Sequence, residues 1–144
     1  DYDNDFIRKQ IGYIGQNGVL ISGTLREILD PSNLCSDFEI QQMMHEFGLS
    51  IDRFEQKLDT YIDENHRNLS GGEFQKIALI RAFLEKKELY LLDEPTSAID
   101  EKSEEQLCIK IQEKLNGKTA IIITHRPRIL NICDRVVRMT NRNV

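Results

Sequence analysis

The sequence predicts an α/β fold: a parallel sheet with a small helical insertion ahead of its central strand. Three stretches carry that prediction. Leu89-Tyr90-Leu91-Leu92 is an unbroken apolar run with no alternation, bounded by the charge of Glu88 and by Pro95, the pattern of a central parallel strand covered on both faces. Thr119 to Thr124 holds a second such run, Ala120-Ile121-Ile122-Ile123, with a helical pattern on either side. Residues 24 to 58 instead hold a succession of helix starts and no strand pattern.

Taken in order, Asp5-Phe6-Ile7-Arg8-Lys9-Gln10 leads into Ile11-Gly12-Tyr13-Ile14-Gly15-Gln16, a short strand with two glycines. Glycine inside a strand often marks close approach by a ligand or another part of the chain. Thr24-Leu25-Arg26-Glu27 is a capping box, in which hydroxyl and carboxylate satisfy the first free backbone donors of a helix. Pro31 ends that helix after about a turn and a half. Ser36-Asp37-Phe38-Glu39 is a second box, whose helix carries Phe38, Met43, Met44 and Phe47 as core residues and stops at Gly48. Ser50 caps a third short helix expected to run through Leu58.

Leu69-Ser70-Gly71-Gly72-Glu73 contains a further box, between Ser70 and Glu73, which places two glycines in the first turn of a helix. Glycine there is disfavoured by roughly 1 kcal/mol relative to alanine, so the pair needs a reason. Bare backbone donors at the positive end of a helix dipole suit an anion such as a phosphate; the plainer reading is a flexible linker, which the register set by Ser70 and Glu73 opposes. From Ile77 to Leu84 the helix is apolar nearly all round except Arg81, so it is buried.

The central strand ends in Asp93 and Glu94, and Pro95 turns the chain. In open α/β sheets ligands bind beyond the carboxyl ends of the strands. Consecutive residues there point in different directions, so one acid can hold a hard cation while the other faces a water molecule. The plainer reading is an acidic loop. Asp100 caps the next helix, with Leu107, Cys108, Ile111 and Leu115 on one side and Gly117 at its end. The second apolar strand hands over to His125, repeating the pattern of buried strand followed by a chemically capable residue. Pro127 opens a short helix through Cys133, and Arg135 to Met139 reads as a last strand.

A chain of 144 residues supports one domain with a core. The formal charge of −5 argues against nucleic acid or an anionic membrane surface as the main partner. Asp1, Asp3 and Asp5 at one end and Arg126, Arg128, Arg135, Arg138 and Arg142 at the other read as solvated ends. Cys35, Cys108 and Cys133 fit neither a metal site nor a disulfide framework and read as small apolar residues in a reducing, cytosolic compartment. No apolar run approaches the roughly 18 residues of a membrane span.

These residues together resemble the nucleotide-binding domain of an ABC transporter across nearly the whole chain. Gln16 is similar to the Q-loop glutamine, Leu69 to Glu73 to the ABC signature, and Leu89 to Glu94 to the Walker B strand with its catalytic glutamate. Ser97-Ala98-Ile99-Asp100 is similar to the D-loop and His125 to the switch histidine. Residues 18 to 28 and the loop from Tyr61 to Asn68, with Glu64-Asn65, resemble the exporters of that family. Two departures stand out. Glu73 replaces a common glutamine and keeps the capping box, while no Gly-x-x-x-x-Gly-Lys-Ser/Thr occurs, the loop that grips the α- and β-phosphates.

The resemblance therefore implies a partial P-loop NTPase parallel sheet with an all-helical subdomain inserted, the C-terminal two-thirds of the domain. Residues 1–16 and 85–144 form the ATPase core and residues 17–84 the helical subdomain carrying the signature. It implies ATP and Mg²⁺, with hydrolysis at a head-to-tail dimer interface on the cytoplasmic side of an exporter's transmembrane domains. Asp93 and Gln16 help hold Mg²⁺, directly or through water, Glu94 orients and deprotonates the attacking water, and His125 contacts the γ-phosphate. Ser70, Gly71 and Gly72 present donors to the nucleotide of the opposite protomer, and Asp100 crosses the interface. Two rivals are a non-hydrolytic ABC-like interaction module and the ATPase head of a DNA-maintenance protein. Retained Glu94 and His125 oppose the first; the absence of a sustained heptad run and the acidic charge oppose the second.

Overall fold

The first strand, β1 (Ile11–Ile14), already shows why its glycine is there. The protein is described by a computed structural model over residues 6, 9–15, 22–63, 65 and 68–139; Gln16, Glu64 and the stretch 17–21 lie outside the described residues. Gly12 is the ladder partner of Tyr90, and a methyl on its Cα would meet that ring at 2.6 Å. The ring cannot swing away: Tyr90 is buried, packs on Phe83 with centroids 5.1 Å apart, and its hydroxyl accepts from the Lys87 amide at 3.0 Å. The close approach expected of this glycine is thus to an aromatic side chain. Gly12→Ala should destabilise the chain by about 1–3 kcal/mol through overpacking, read as a lower denaturation midpoint at unchanged slope; an unmoved midpoint would show that the ring yields.

The insert follows. β2 (Gly23–Thr24) pairs antiparallel with β3 (Tyr61–Ile62), and this ladder ties together the two ends of a stretch that is otherwise helical. Within it, α1 (Leu25–Leu29) and α2 (Asp37–Glu46) begin with both halves of their expected capping boxes formed. Ile40, Met44 and Phe47 are buried at helical spacing, but Phe38 is 74% exposed. It lies about 200° round the helix from Ile40, off the inward stripe, so the expectation of a core phenylalanine fails there. The single helix expected from Ser50 through Leu58 is also corrected. Ser50 caps a 3₁₀ turn, Ile51–Arg53, but Phe54 is extended and Lys57 takes φ +53, so a second 3₁₀ turn, Lys57–Asp59, starts afresh.

Helix α3 (Gly71–Leu84) buries Ile77, Leu79, Ile80, Ala82, Phe83 and Leu84, as its composition requires. It packs against α1 and α2 and also against β1, so it joins the insert to the sheet. The chain then alternates: β4 (Leu89–Asp93), α4 (Glu101–Leu115), β5 (Thr119–Ile123) and α5 (Pro127–Leu130). The sheet runs β1-β4-β5, all parallel, with β4 in the middle as predicted. Sheet and insert share one core that runs from Ile14 and Leu92 through α3 to Met44.

The second face of the sheet departs from expectation. Ile14, Tyr90 and Leu92 are buried on one side, whereas Tyr13, Ile121 and Ile123 are 67%, 58% and 61% exposed. Leu91 pairs with both Tyr13 and Ile121 and is only half-buried. The run at residues 120–123 is a strand, but an edge strand with its apolar face open. Residues 135–139 form no strand: Val136, Val137 and Met139 are exposed, and among the described residues no neighbouring edge pairs with them. The three cysteines are free, Cys108 buried and the other two half-buried. Among the described residues no helix is long and apolar enough to cross a membrane.

Candidate functional site

The carboxyl tips of β4 and β5 lie side by side, with Asp93 in register with Ile123. The ladder reaches one residue further, the Glu94 amide donating to the Ile123 carbonyl at 2.8 Å. Glu94 itself takes φ +51, a left-handed backbone that costs a non-glycine residue about 1–3 kcal/mol. Its carbonyl then accepts from the Ser97 amide at 3.2 Å, closing a turn over Pro95 and Thr96.

This kink brings Glu94 to His125, two residues beyond the end of β5. His125 Nδ1 lies 2.7 Å from Glu94 Oε1. A carboxylate only accepts, so Nδ1 carries the hydrogen, and the ring's other nitrogen, Nε2, stands on a side chain that is largely exposed. Glu94 is largely buried, and its other oxygen, Oε2, is buried with no partner among the described residues. A buried polar oxygen left unpaired costs about 1–3 kcal/mol, and native folds keep few such groups. One arm of this carboxylate is held and the other is kept dry, ready for a donor or a cation that these residues do not supply.

Asp93, half-buried, adds a second carboxylate at the same strand tip. No group of three or more His, Cys, Asp or Glu gathers into a metal site among the described residues. Asp93 as a carboxylate donor suits Mg²⁺, which is held by one or two carboxylates and keeps waters and substrate phosphates in its shell. Gln16, the other expected metal ligand, lies outside the described residues.

Ser70 Oγ accepts from the Glu73 amide at 3.2 Å and Glu73 Oε2 accepts from the Ser70 amide at 2.8 Å, so the box that opens α3 is complete. Burial pushes the Glu73 carboxyl up, but the hydrogen bonds from Ser70 and the nearby Arg53 guanidinium, 3.0 Å away, hold it below the ordinary range. Ser70 and Gly71 are exposed. The two glycines differ. A methyl on Gly72 would press on the Ala98 carbonyl at 3.3 Å, a packing reason for glycine; one on Gly71 would make only ordinary contact, 3.5 Å from the Ala98 methyl. Packing thus explains Gly72 and leaves Gly71 with a bare, outward-facing backbone. Asp100 caps α4, accepting from the Lys102 and Ser103 amides at 3.1 Å, and the bonds from Ser103 lower its carboxyl.

The residues that sequence reasoning missed hold these parts together. Gln75, buried on α3, donates through Nε2 to the Glu94 carbonyl at 2.7 Å and to Ser97 Oγ at 3.2 Å, and its Oε1 accepts from the Ala98 amide at 2.8 Å. Arg126 donates to the carbonyls of Ser97, at 2.7 Å, and Ile99, at 2.8 Å. It also lies 3.3 Å from Glu104 Oε1, the buried acceptor of the Thr96 hydroxyl. A signal existed. Gln75 falls four residues before Leu79 on the buried side of α3, and Glu104 falls on the same stripe as Leu107, Cys108 and Ile111; polar groups on apolar stripes need partners.

A parallel α/β sheet with polar groups gathered at its strand tips is a class of fold that places its ligand sites there, and comparison with known proteins makes the class specific. The chain belongs to the ABC transporter family, which its residues 1–97 match. It is 36% identical over 141 residues to an uncharacterized ABC transporter ATP-binding protein, YwjA, of Bacillus subtilis, covering 96% of this chain and 24% of that protein. It is 32% identical to the glutathione/L-cysteine transport system ATP-binding/permease protein CydC of Haemophilus influenzae, covering 97% of this chain and 25% of that one. Among solved structures, a bacterial Atm1-family ABC exporter with ATP bound superimposes with a TM-score of 0.77 at 27% identity, over 88% of this chain and 22% of that one. The fold is accordingly that of a P-loop NTPase. The chain spans about a quarter of the length of these relatives.

Proposed function

We propose that this chain is the larger part of the ATP-hydrolysing domain of an ABC exporter, working at a head-to-tail dimer interface on the cytoplasmic face of a membrane. The observation that carries the reading is Glu94, with one carboxylate oxygen held by His125 and the other buried and without a partner among the described residues. That is the arrangement of a base oriented by an imidazole and kept away from bulk water. In this reading Glu94 takes the proton of the attacking water, and His125, exposed through Nε2, faces the terminal phosphate. Asp93 and Gln16 hold Mg²⁺, which when bound neutralises charge developing on the phosphoryl oxygens. Ser70, Gly71 and Gly72 offer donors to the nucleotide of the facing domain, stabilising the same charge from across the interface. Asp100 presents to that interface from the start of α4.

Residues 1–16 and 85–144 serve as the core half of the domain and residues 17–84 as its helical subdomain. Transmembrane domains of the exporter choose the substrate, and nucleic acid is not a partner.

Calorimetry tests the reading in two arms. The 144-residue chain alone, which contains no phosphate-gripping loop, should bind Mg-ATP no more tightly than about 1 mM, roughly 4 kcal/mol of binding free energy. The full-length protein carrying this chain should bind in the micromolar range and hydrolyse. Micromolar binding with steady turnover by the chain alone would overturn its partial character, and no binding by the full-length protein would overturn the function.

A further inference from the structure

The turn between the two strand-tip carboxylates and α4, residues 94–99, is gripped from two sides. From α3, the single amide of Gln75 meets three of its residues, Glu94, Ser97 and Ala98. From the segment after β5, Arg126 meets Ser97 and Ile99. Gln75 is buried, and it lies five residues from Ser70 on a helix whose start is fixed by a complete capping box. Arg126 directly follows His125.

We propose that Gln75 is a positioning residue that links the exposed start of α3 to the Glu94–His125 pair, with Arg126 closing the link on the other side. A well-capped helix moves as a rigid body, so a small displacement of Ser70 and Gly71 carries Gln75 with it. Because Gln75 holds the Glu94 carbonyl itself, the displacement reaches the residue whose carboxylate meets His125. Through Ser97 it also reaches Arg126, and so the backbone beside His125. The link rests on the function proposed above: Ser70 and Gly71 then attend the nucleotide of the facing domain, while Glu94 attends its own. Occupancy of one site is thereby felt by the base of the other, a coupling that by linkage makes the two sites cooperative.

The test uses Gln75→Leu in the full-length protein. Leucine keeps the side chain's bulk in the core and removes all three hydrogen bonds. The expected result is a kcat about 100-fold lower, the scale of a small misplacement of a reacting group, with KM for ATP unchanged and cooperativity between sites lost. Amide hydrogen exchange provides a second readout that needs no hydrolysis: the amides of residues 97–99 should exchange faster, and ATP binding should no longer change their protection. If Gln75→Leu does not fold, Gln75→Glu, which keeps the acceptor for Ala98 and loses the donor to Glu94, should show the same kcat loss in weaker form. A folded variant with wild-type kcat, cooperativity and exchange overturns the proposal. So does a variant that raises KM and lowers melting temperature while cooperativity persists, since loosening alone does that. A wild-type protein that hydrolyses no ATP indicts the functional reading instead, and the exchange arm still judges the link.

Discussion

Glu94→Gln should abolish ATP turnover by the full-length protein while leaving ATP binding intact. The substitution keeps shape and an oxygen that can accept from His125 Nδ1, so the 2.7 Å contact survives. What it removes is the ability to take a proton. General-base catalysis contributes about 10²–10⁴-fold, and a residual rate at that level or below is the expected outcome in a phosphate-release assay. Binding, measured by calorimetry on the same preparation, depends on contacts this substitution does not touch. Hydrolysis near the wild-type rate would remove Glu94 from the role of base and shift attention to its neighbour Asp93.

The second large effect is on stability. Glu104 is only 5% exposed, accepts from the Thr96 hydroxyl at 2.9 Å and sits 3.3 Å from Arg126. Glu104→Ala leaves a fully buried threonine hydroxyl without its acceptor and a guanidinium without its counter-charge. Removing one partner of a buried pair costs about 3–5 kcal/mol, and the lower end applies because Arg126 is partly exposed and keeps two carbonyl acceptors. Chemical denaturation of the purified protein measures it. Glu104→Gln retains an oxygen for Thr96 and should lose less; equal losses would mean that charge contributes nothing here, and a loss under about 1 kcal/mol for alanine would mean that the network is dispensable.

Much of this is legible in the amino-acid sequence. Capping boxes at Thr24, Ser36 and Ser70 are local chemistry, complete within four residues, and all three formed as read. The apolar run at Leu89 placed the central strand, because a parallel strand flanked by two others has an environment that its own composition reflects. The failures share a cause. Phe38, Ile121 and Ile123 were assigned to the interior and residues 135–139 to a strand on hydrophobicity, yet burial and pairing depend on what lies opposite, and composition does not record that. Gln75, Arg126 and Glu104 were missed for the converse reason: their partners are 19 to 29 residues away, or across an element boundary, and only the fold brings them together. The pairing of Glu94 with His125, 31 residues apart, was reachable only because both stand at strand ends, which a parallel sheet aligns.

One consequence follows from the backbone of Glu94. Among the described residues four non-glycine residues take positive φ, and three of them, Asn33, Lys57 and Lys86, are exposed. Glu94 instead combines that conformation with a carboxylate oxygen hidden from solvent and unanswered among the described residues. A glycine at this codon would relax both. Under the proposed function, selection for heat tolerance and selection for work pull the same position in opposite directions, and a laboratory lineage bred only for hardiness would drift toward a robust, inert domain.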